Sequence, residues 1–450
     1  MNDLIEASAS DLAAAIRARS TSSLEVVDAF LARIRAANPA LNAIVTLDEE
    51  GARRQARGAD AALAHGEVWG PLHGVPITLK DGHATAGLRT TAGHVTLAKN
   101  VPAFDGVVAA RMKRAGAILL GKTNVSSMLM DIQADNAVFG RTNNPYNLER
   151  TSGGSSGGAA AALAARMTPL DIGSDFAGSI RIPAHFCGVY GLKPTEGRVP
   201  LTGHIPEPSA AARTPSMWSA GPLARSIDDL YLALQIISGP EQTSPDVAPV
   251  PVPEIPKIGL NGLHLAWTPT FPGVPVAKSI RDAVAALAKK LSERGAIVEE
   301  RLPHLSWEEQ AKVRVKMCKA LDPAGASMPA GDYLAALDRR AAIVSAWERF
   351  FGQVEAFICP VAMVSAFEHC PTDSPLKVDG EQTPYWRIVG HCAPFNLTGH
   401  PVLVVPIGRD EDGLPIGIQL VTRRWNEGRL LAIGRLISGV VGSLPKPERV

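Results

Sequence analysis

The chain of 450 residues is long enough for one large α/β enzyme domain or for as many as three smaller ones. Its composition, 46% hydrophobic and 20% charged, is that of a globular protein with a sizeable core, and 45 Lys plus Arg against 44 Asp plus Glu leave no basic excess for nucleic acid. No uninterrupted apolar run approaches the roughly 20 residues of a membrane span, and the opening MNDLIEASAS carries Asp3 and Glu6 where a signal peptide would be basic, so a cytoplasmic protein with neither nucleic-acid nor membrane partner is expected.

Helix and strand signals then alternate. Ser22-Ser23-Leu24-Glu25 is a capping box, in which a serine hydroxyl and a glutamate three residues on satisfy free backbone N–H groups. It opens a helix with Val27, Phe30 or Leu31, and Ile34 on one face. The apolar Ala43-Ile44-Val45 predicts a strand, and the Ala/Arg-rich stretch 48–65 a helix. Val75 to Leu79 predicts the next strand, and 105–115 a helix with Val108 and Met112 one turn apart.

Residues 116–123 read GAILLGKT, which fits the nucleotide-binding pattern GxxxxGK[ST] letter for letter. That pattern works when backbone N–H groups curl around phosphate and a helix opens directly afterwards. Here Ala117, Ile118, Leu119 and Leu120 form an apolar run suited to a buried strand, and Gly116 stands where a helix-ending glycine belongs. A nucleotide cofactor is therefore not expected.

Ala159 to Met167 is so rich in alanine that its helix must pack closely on all sides. Farther on, Leu263–Trp267, Lys278–Glu293 and Ala296–Glu300 repeat strand, helix, strand, which completes an α/β pattern. The one obvious linker is Pro-rich, PDVAPVPVPEIP at 245–256 within a connection of about 240–257, extended and able to cross the surface of a single domain. The five cysteines are odd in number, scattered and never spaced CxxC, so reduced thiols are expected. His369-Cys370 and His391-Cys392 match no zinc spacing, and sequence neighbours rarely aim at one metal, so no metal site is expected.

The run TSGGSSGG at 151–158 has the composition of a flexible tether. Other features argue for chemistry. Ser179, in GSDFAGSIRIP, follows the small residues Ala177 and Gly178, and a turn of small residues can aim several backbone N–H groups at one spot, as an oxyanion hole requires. Lys80 ends the apolar strand of GVPITLKDG, where desolvation would lower its pKa towards neutrality. A shift of about 3 units costs about 4 kcal/mol, so polar partners must hold the amine. Base, relay hydroxyl and nucleophile would make a Ser-Lys hydrolase. GxSxG does occur around Ser155, but the tail offers no distinctive Asp-then-His pairing to complete a Ser-His-Asp set.

LHGVPITLKD (72–81), GAILLGKTN (116–124), TSGGSSGGAAAALAAR (151–166), GSDFAGSIRIPAHFCGVYGLKPTEGRVP (173–200) and FNLTGHPVLVVP (395–406) together resemble the amidase signature family, in that family's order and across nearly the whole chain. The resemblance implies a single domain over 1–450, signature core about 70–205, with a central mixed β-sheet surrounded by α-helices. Carried over, it makes Ser179 the nucleophile, Lys80 the base, and Ser155 the bridging serine after a cis peptide at Gly154. It places backbone N–H groups of Phe176, Ala177, Gly178 and Ser179 in the oxyanion hole, with Asp175 and Arg181 bracing the loop and Ser156 supporting the hydrogen-bond chain. It requires no metal or cofactor.

Two departures stand out. Ala177 replaces the first of two glycines usual before the nucleophile, where a positive φ would strain alanine, and Phe176 is bulkier than expected and either packs inward or narrows the site. The resemblance implies that residues 125–133, with Met128, Met130 and Gln133, line an adaptable apolar pocket, plain core being an equal reading of the methionines. The implied activity is amidase-type cleavage of C–N bonds through an acyl-serine, on small-molecule amides, anilides, esters or carbamates (a urethanase among the possibilities), by a monomer or homodimer. The alternative is the glutamine-hydrolysing subunit of a tRNA-dependent amidotransferase, which needs partner subunits.

Overall fold

The computed structural model describes residues 2–205, 216–242, 244, 247–321 and 328–448. Among these, eleven strands form one mixed sheet in the order Ile44–Leu47, Ile118–Thr123, Pro76–Lys80, Leu170–Asp175, Ser219–Ala224, Tyr190–Lys193, Val402–Arg409, Pro415–Val421, Ala356–Pro360, His264–Trp267, Ile297–Glu300. Helices surround this sheet, so the α/β class with a central mixed sheet expected from the alternation is the observed one.

Local chemistry sets many boundaries. Ser22 caps the helix Ser23–Leu41 through the full capping box with Glu25, and Val27, Phe30, Leu31 and Ile34 are all buried. Asp48 caps the helix Glu49–Ala64 by accepting the Gly51 N–H at 3.0 Å. GAILLGKT contains the fully buried strand Ile118–Thr123, with Gly116 at φ +88° just past the helix Val107–Arg114. The alanine helix runs over Gly157–Ala164, two residues earlier than its alanines suggest, and Ala159 to Ala164 are each 3% exposed or less. A side chain larger than alanine there would overpack the core by about 1–3 kcal/mol.

The predicted strand–helix–strand at 263–300 is present as His264–Trp267, Lys278–Glu293 and Ile297–Glu300, the two strands parallel neighbours. Pro245 and Asp246 lie outside the described residues; 247–256 has no regular structure and is tied down where Arg198 Nη1 donates to the carbonyls of Val250 and Pro251.

Three neighbouring strands, Ile118–Thr123, Pro76–Lys80 and Leu170–Asp175, run parallel. Their carboxyl ends therefore lie together, and Lys80 and Asp175 are the final residues of two of them. Open α/β sheets expose their ligand-binding crevices at such ends.

Candidate active site

Lys80 is completely buried, and its amine meets Ser155 Oγ at 2.7 Å, Ser174 Oγ at 3.0 Å and the Ser174 carbonyl at 3.2 Å. Burial pulls the amine down to about 7, against the opposing pull of the Asp175 and Asp171 carboxylates. A neutral amine beside a serine hydroxyl is a competent proton acceptor near pH 7.

Ser155 comes from the loop before the alanine helix, and the Gly154–Ser155 peptide is cis. The Gly154 backbone lies against residues 131–133: a Cβ added there would stand 2.6 Å from the Gln133 nitrogen. Ser155 is 1% exposed, whereas Ser179 is half-buried and so within reach of a ligand. The two serine loops are joined by the Ser156 N–H donating to the Ser179 carbonyl at 3.1 Å. The Ser156 hydroxyl reaches the Ser174 carbonyl only at 3.5 Å, a marginal bond.

Asp175 organises the turn that presents Ser179. Its carboxylate accepts from the Gly178 N–H at 2.9 Å, the Ile180 N–H at 3.0 Å, Arg181 Nη2 at 2.8 Å and Asn396 Nδ2 at 2.9 Å. Opposite charge and these donors hold it well below the usual carboxylate range in spite of full burial. Arg181, equally buried, extends to the Cys392 carbonyl at 2.9 Å and Gln419 Oε1 at 2.7 Å. Breaking such a buried pair by removing one partner costs about 3–5 kcal/mol.

One expected donor is otherwise engaged. Because the Gly178 N–H is held by Asp175, the free N–H groups among the described residues of this turn are those of Phe176, Ala177 and Ser179. The positive φ expected before the nucleophile falls on Gly178, at +114°, and not on Ala177, so alanine is unstrained there. A Cβ on Gly178 would also stand 2.9 Å from Cys392 Sγ. Gly178→Ala is therefore expected to cost about 2 kcal/mol or more and at least tenfold in kcat/KM, measurable by thermal denaturation and initial rates.

The residues proposed from sequence as pocket lining separate. Met128, at φ +50°, packs with Ala92, Val125, Leu129, Ile205 and Trp218 in a small cluster. Met130 is 60% exposed and belongs to the outer rim, because the chain turns outward between Met128 and the buried Ile132. Gln133 is buried, but its amide is spent on the Cys370 carbonyl at 2.7 Å and the Tyr385 hydroxyl at 3.0 Å. Close by, Asp131 accepts from the hydroxyls of Tyr385 and Thr372, each at 2.6 Å, so distant segments are clasped to the loop beside Ser155.

Sequence reasoning missed Ser174, Asn396, Gln419 and Trp218. Ser174 had a signal: it sits beside Asp175 on a strand paired to that of Lys80. Asn396 and Gln419 meet Asp175 and Arg181 across 221 and 238 residues of chain, and Trp218 arrives only through the pairing of the strand that follows it. Lys122, the lysine of the nucleotide-like motif, is a buried strut that donates to the His83 carbonyl and to Thr85 Oγ1 at 3.0 Å. All five cysteines are unpaired; Cys392 lies against Gly178, and His391 is buried with its ring stacked on Phe271 at 5.0 Å. Behind segment 389–394 lies a cavity of about 480 Å³ lined by Phe271, Val274, Trp307, Trp386 and Val389 among others. Among the described residues no helix is long and apolar enough to cross a membrane.

Residues 25–322 and 308–431 match the family model described as Amidase. Over 94% of its length the chain is 34% identical to a glutamyl-tRNA(Gln) amidotransferase subunit of Roseiflexus sp. (strain RS-1), 94% of which is covered. It is 32% identical to an acylamidase of Rhodococcus erythropolis, over 94% of this chain and 93% of that one. A solved structure from a vestigial protein complex, tied to the evolutionary origins of an s-triazine catabolic enzyme, superimposes with a TM-score of 0.85 at 30% identity. That match covers 98% of this chain and 100% of the other. A buried lysine joined to one serine, a second serine on a glycine turn, and these matches across nearly the whole chain lead to one conclusion: the protein belongs to the amidase family of amidase signature enzymes.

Proposed function

We propose that the protein hydrolyses C–N bonds of small apolar amides, with anilides and carbamates as further substrates, through an acyl intermediate on Ser179. The observation that carries this reading is the 2.7 Å contact between a desolvated Lys80 amine and Ser155 Oγ.

In the proposed cycle neutral Lys80 takes a proton from Ser155, and Ser155 takes one from Ser179 as its oxygen attacks the carbonyl carbon. Charge developing on the carbonyl oxygen is met by the N–H groups of Phe176, Ala177 and Ser179, each such donor worth about 3 kcal/mol in comparable sites. Lys80 returns the proton through Ser155 to the leaving nitrogen, the C–N bond breaks, and an acyl-Ser179 ester remains. Water, deprotonated by the same relay, adds to the ester and releases the acid. Each residue in this cycle is supplied by the chain itself. The apolar and aromatic side chains close to the nucleophile turn, Phe176 stacked on Trp218 and the cluster of Met128, Leu129 and Ile205 packed with Trp218, support an apolar substrate over glutamine.

The second reading, a glutamine-hydrolysing amidotransferase subunit, is favoured by the 34% identity to such a subunit. Purified protein offered glutamine, an aliphatic amide, an anilide and an aryl carbamate separates the two. Turnover of the apolar substrates without added partners is the expected result. Cleavage of glutamine alone, or no cleavage until partner subunits are supplied, would overturn it.

A further inference from the structure

Asp175 and Ser219 are the last paired residues of two antiparallel strands, so the next residue of one chain segment, Phe176, and the preceding residue of the other, Trp218, face each other across the end of the sheet. Aromatic pairs in this position stack. Their rings lie 4.7 Å apart and within 26° of parallel. Behind the pair the rings turn: His204 meets Trp218 edge-on at 5.3 Å and 61°, and His83 meets His204 tilted at 5.2 Å and 58°. His83 is held uncharged by burial, its pKa driven down to about 3. The small apolar cluster of Met128, Leu129 and Ile205 also packs with Trp218.

Phe176 and Trp218 are each only half-buried, so part of this aromatic pair stays accessible. It begins three residues before Ser179, on the turn whose free N–H groups would face a substrate carbonyl. A flat, uncharged π surface at that distance suits a flat, apolar group attached directly to the reacting carbonyl or to its nitrogen. A saturated chain would gain contact area there but no stacking.

We infer that the Phe176–Trp218 stack is an aryl-binding shelf, and that the enzyme selects amides or carbamates carrying an aromatic ring next to the scissile bond. This rests on the amidohydrolase reading above. The preference is set by the side chain of Phe176, whose backbone serves the oxyanion, and by Trp218, which the reaction itself does not use.

The test compares kcat/KM for an anilide and for the cyclohexylamide of the same acid in the wild-type protein, Trp218→Leu and Trp218→Phe. The expected result is an aryl-to-cyclohexyl ratio that falls about tenfold in Trp218→Leu and is largely restored in Trp218→Phe. A ratio unchanged within about twofold in Trp218→Leu would overturn the shelf. To keep this separate from the reaction chemistry, the same two amides are titrated against Ser179→Ala protein with and without Trp218→Leu, following binding calorimetrically. A Kd preference for the anilide that vanishes with Trp218 supports the shelf even in a protein that turns over neither amide. Equal Kd values for the two amides in Ser179→Ala protein would overturn it whatever the rates.

Discussion

Ser179→Ala is expected to lower kcat/KM for any cleaved amide by about 10⁴- to 10⁶-fold while leaving the fold intact. The asymmetry between the two serines is the reason. Ser155 is enclosed at 1% exposure with its oxygen on the Lys80 amine, while Ser179 is half-buried on a turn braced from behind by Asp175. The serine that keeps exposed surface is the one able to meet a carbonyl carbon, and alanine removes its oxygen without touching the brace. Initial rates, together with intact-mass detection of a carbamoyl adduct formed from an O-aryl carbamate as its C–O bond breaks and the aryloxide leaves, check this. An adduct that persists in Ser179→Ala, or a rate above about one per cent of wild type, would move the nucleophile elsewhere.

Lys80→Met is expected to be equally inactive and yet more stable at neutral pH. The folded-state pKa of about 7 lies below the 10.5 of an exposed lysine. Between those values the unfolded chain binds a proton that the folded chain does not, so stability rises with pH across this window, and the penalty is full at pH 7 and below. That penalty is about 5 kcal/mol, offset by about 1 kcal/mol for each hydrogen bond the amine makes to Ser155 and Ser174. A net gain of about 2 kcal/mol at pH 7, shrinking as pH approaches 10.5, is the expected difference in denaturation free energy. The same titration governs rate: in the wild type kcat/KM should fall with unit slope below about pH 7, as Lys80 gains a proton and can no longer accept one from Ser155. A rate flat from about pH 5 to about pH 9 would exclude Lys80 as the base.

Much of this was legible in the chain itself. Lys80 ends a largely apolar strand, so burial was foreseeable, and its desolvated amine is the physical result. GAILLGKT could be read as strand and not as phosphate loop because side chains such as Ile118 and Leu119 cannot be left in water at a phosphate site. The run at 151–158 has the composition of a tether and is wholly buried, because the motifs around it, and not its own composition, mark it. Met130 misleads for the opposite reason. Methionine is adaptable enough to sit inside or out, and sequence alone carries no sign of where the chain turns outward.

The sequence by itself determined the order of elements, the class of fold, and which lysine and serines were worth watching, because periodicity, caps and small-residue turns are local properties read over short stretches of chain. Only the tertiary structure decided that Ser174 shares the lysine with Ser155, that Gly178 gives its N–H to Asp175, and that Phe176 turns onto Trp218. Each of these takes its geometry from segments that the chain brings together only when strands pair and helices pack. That geometry is set by the sheet register and by which polar groups burial forces to find partners. No local pattern encodes that choice, since the same Asp175 could have been satisfied by other donors had Asn396 and Arg181 been packed elsewhere.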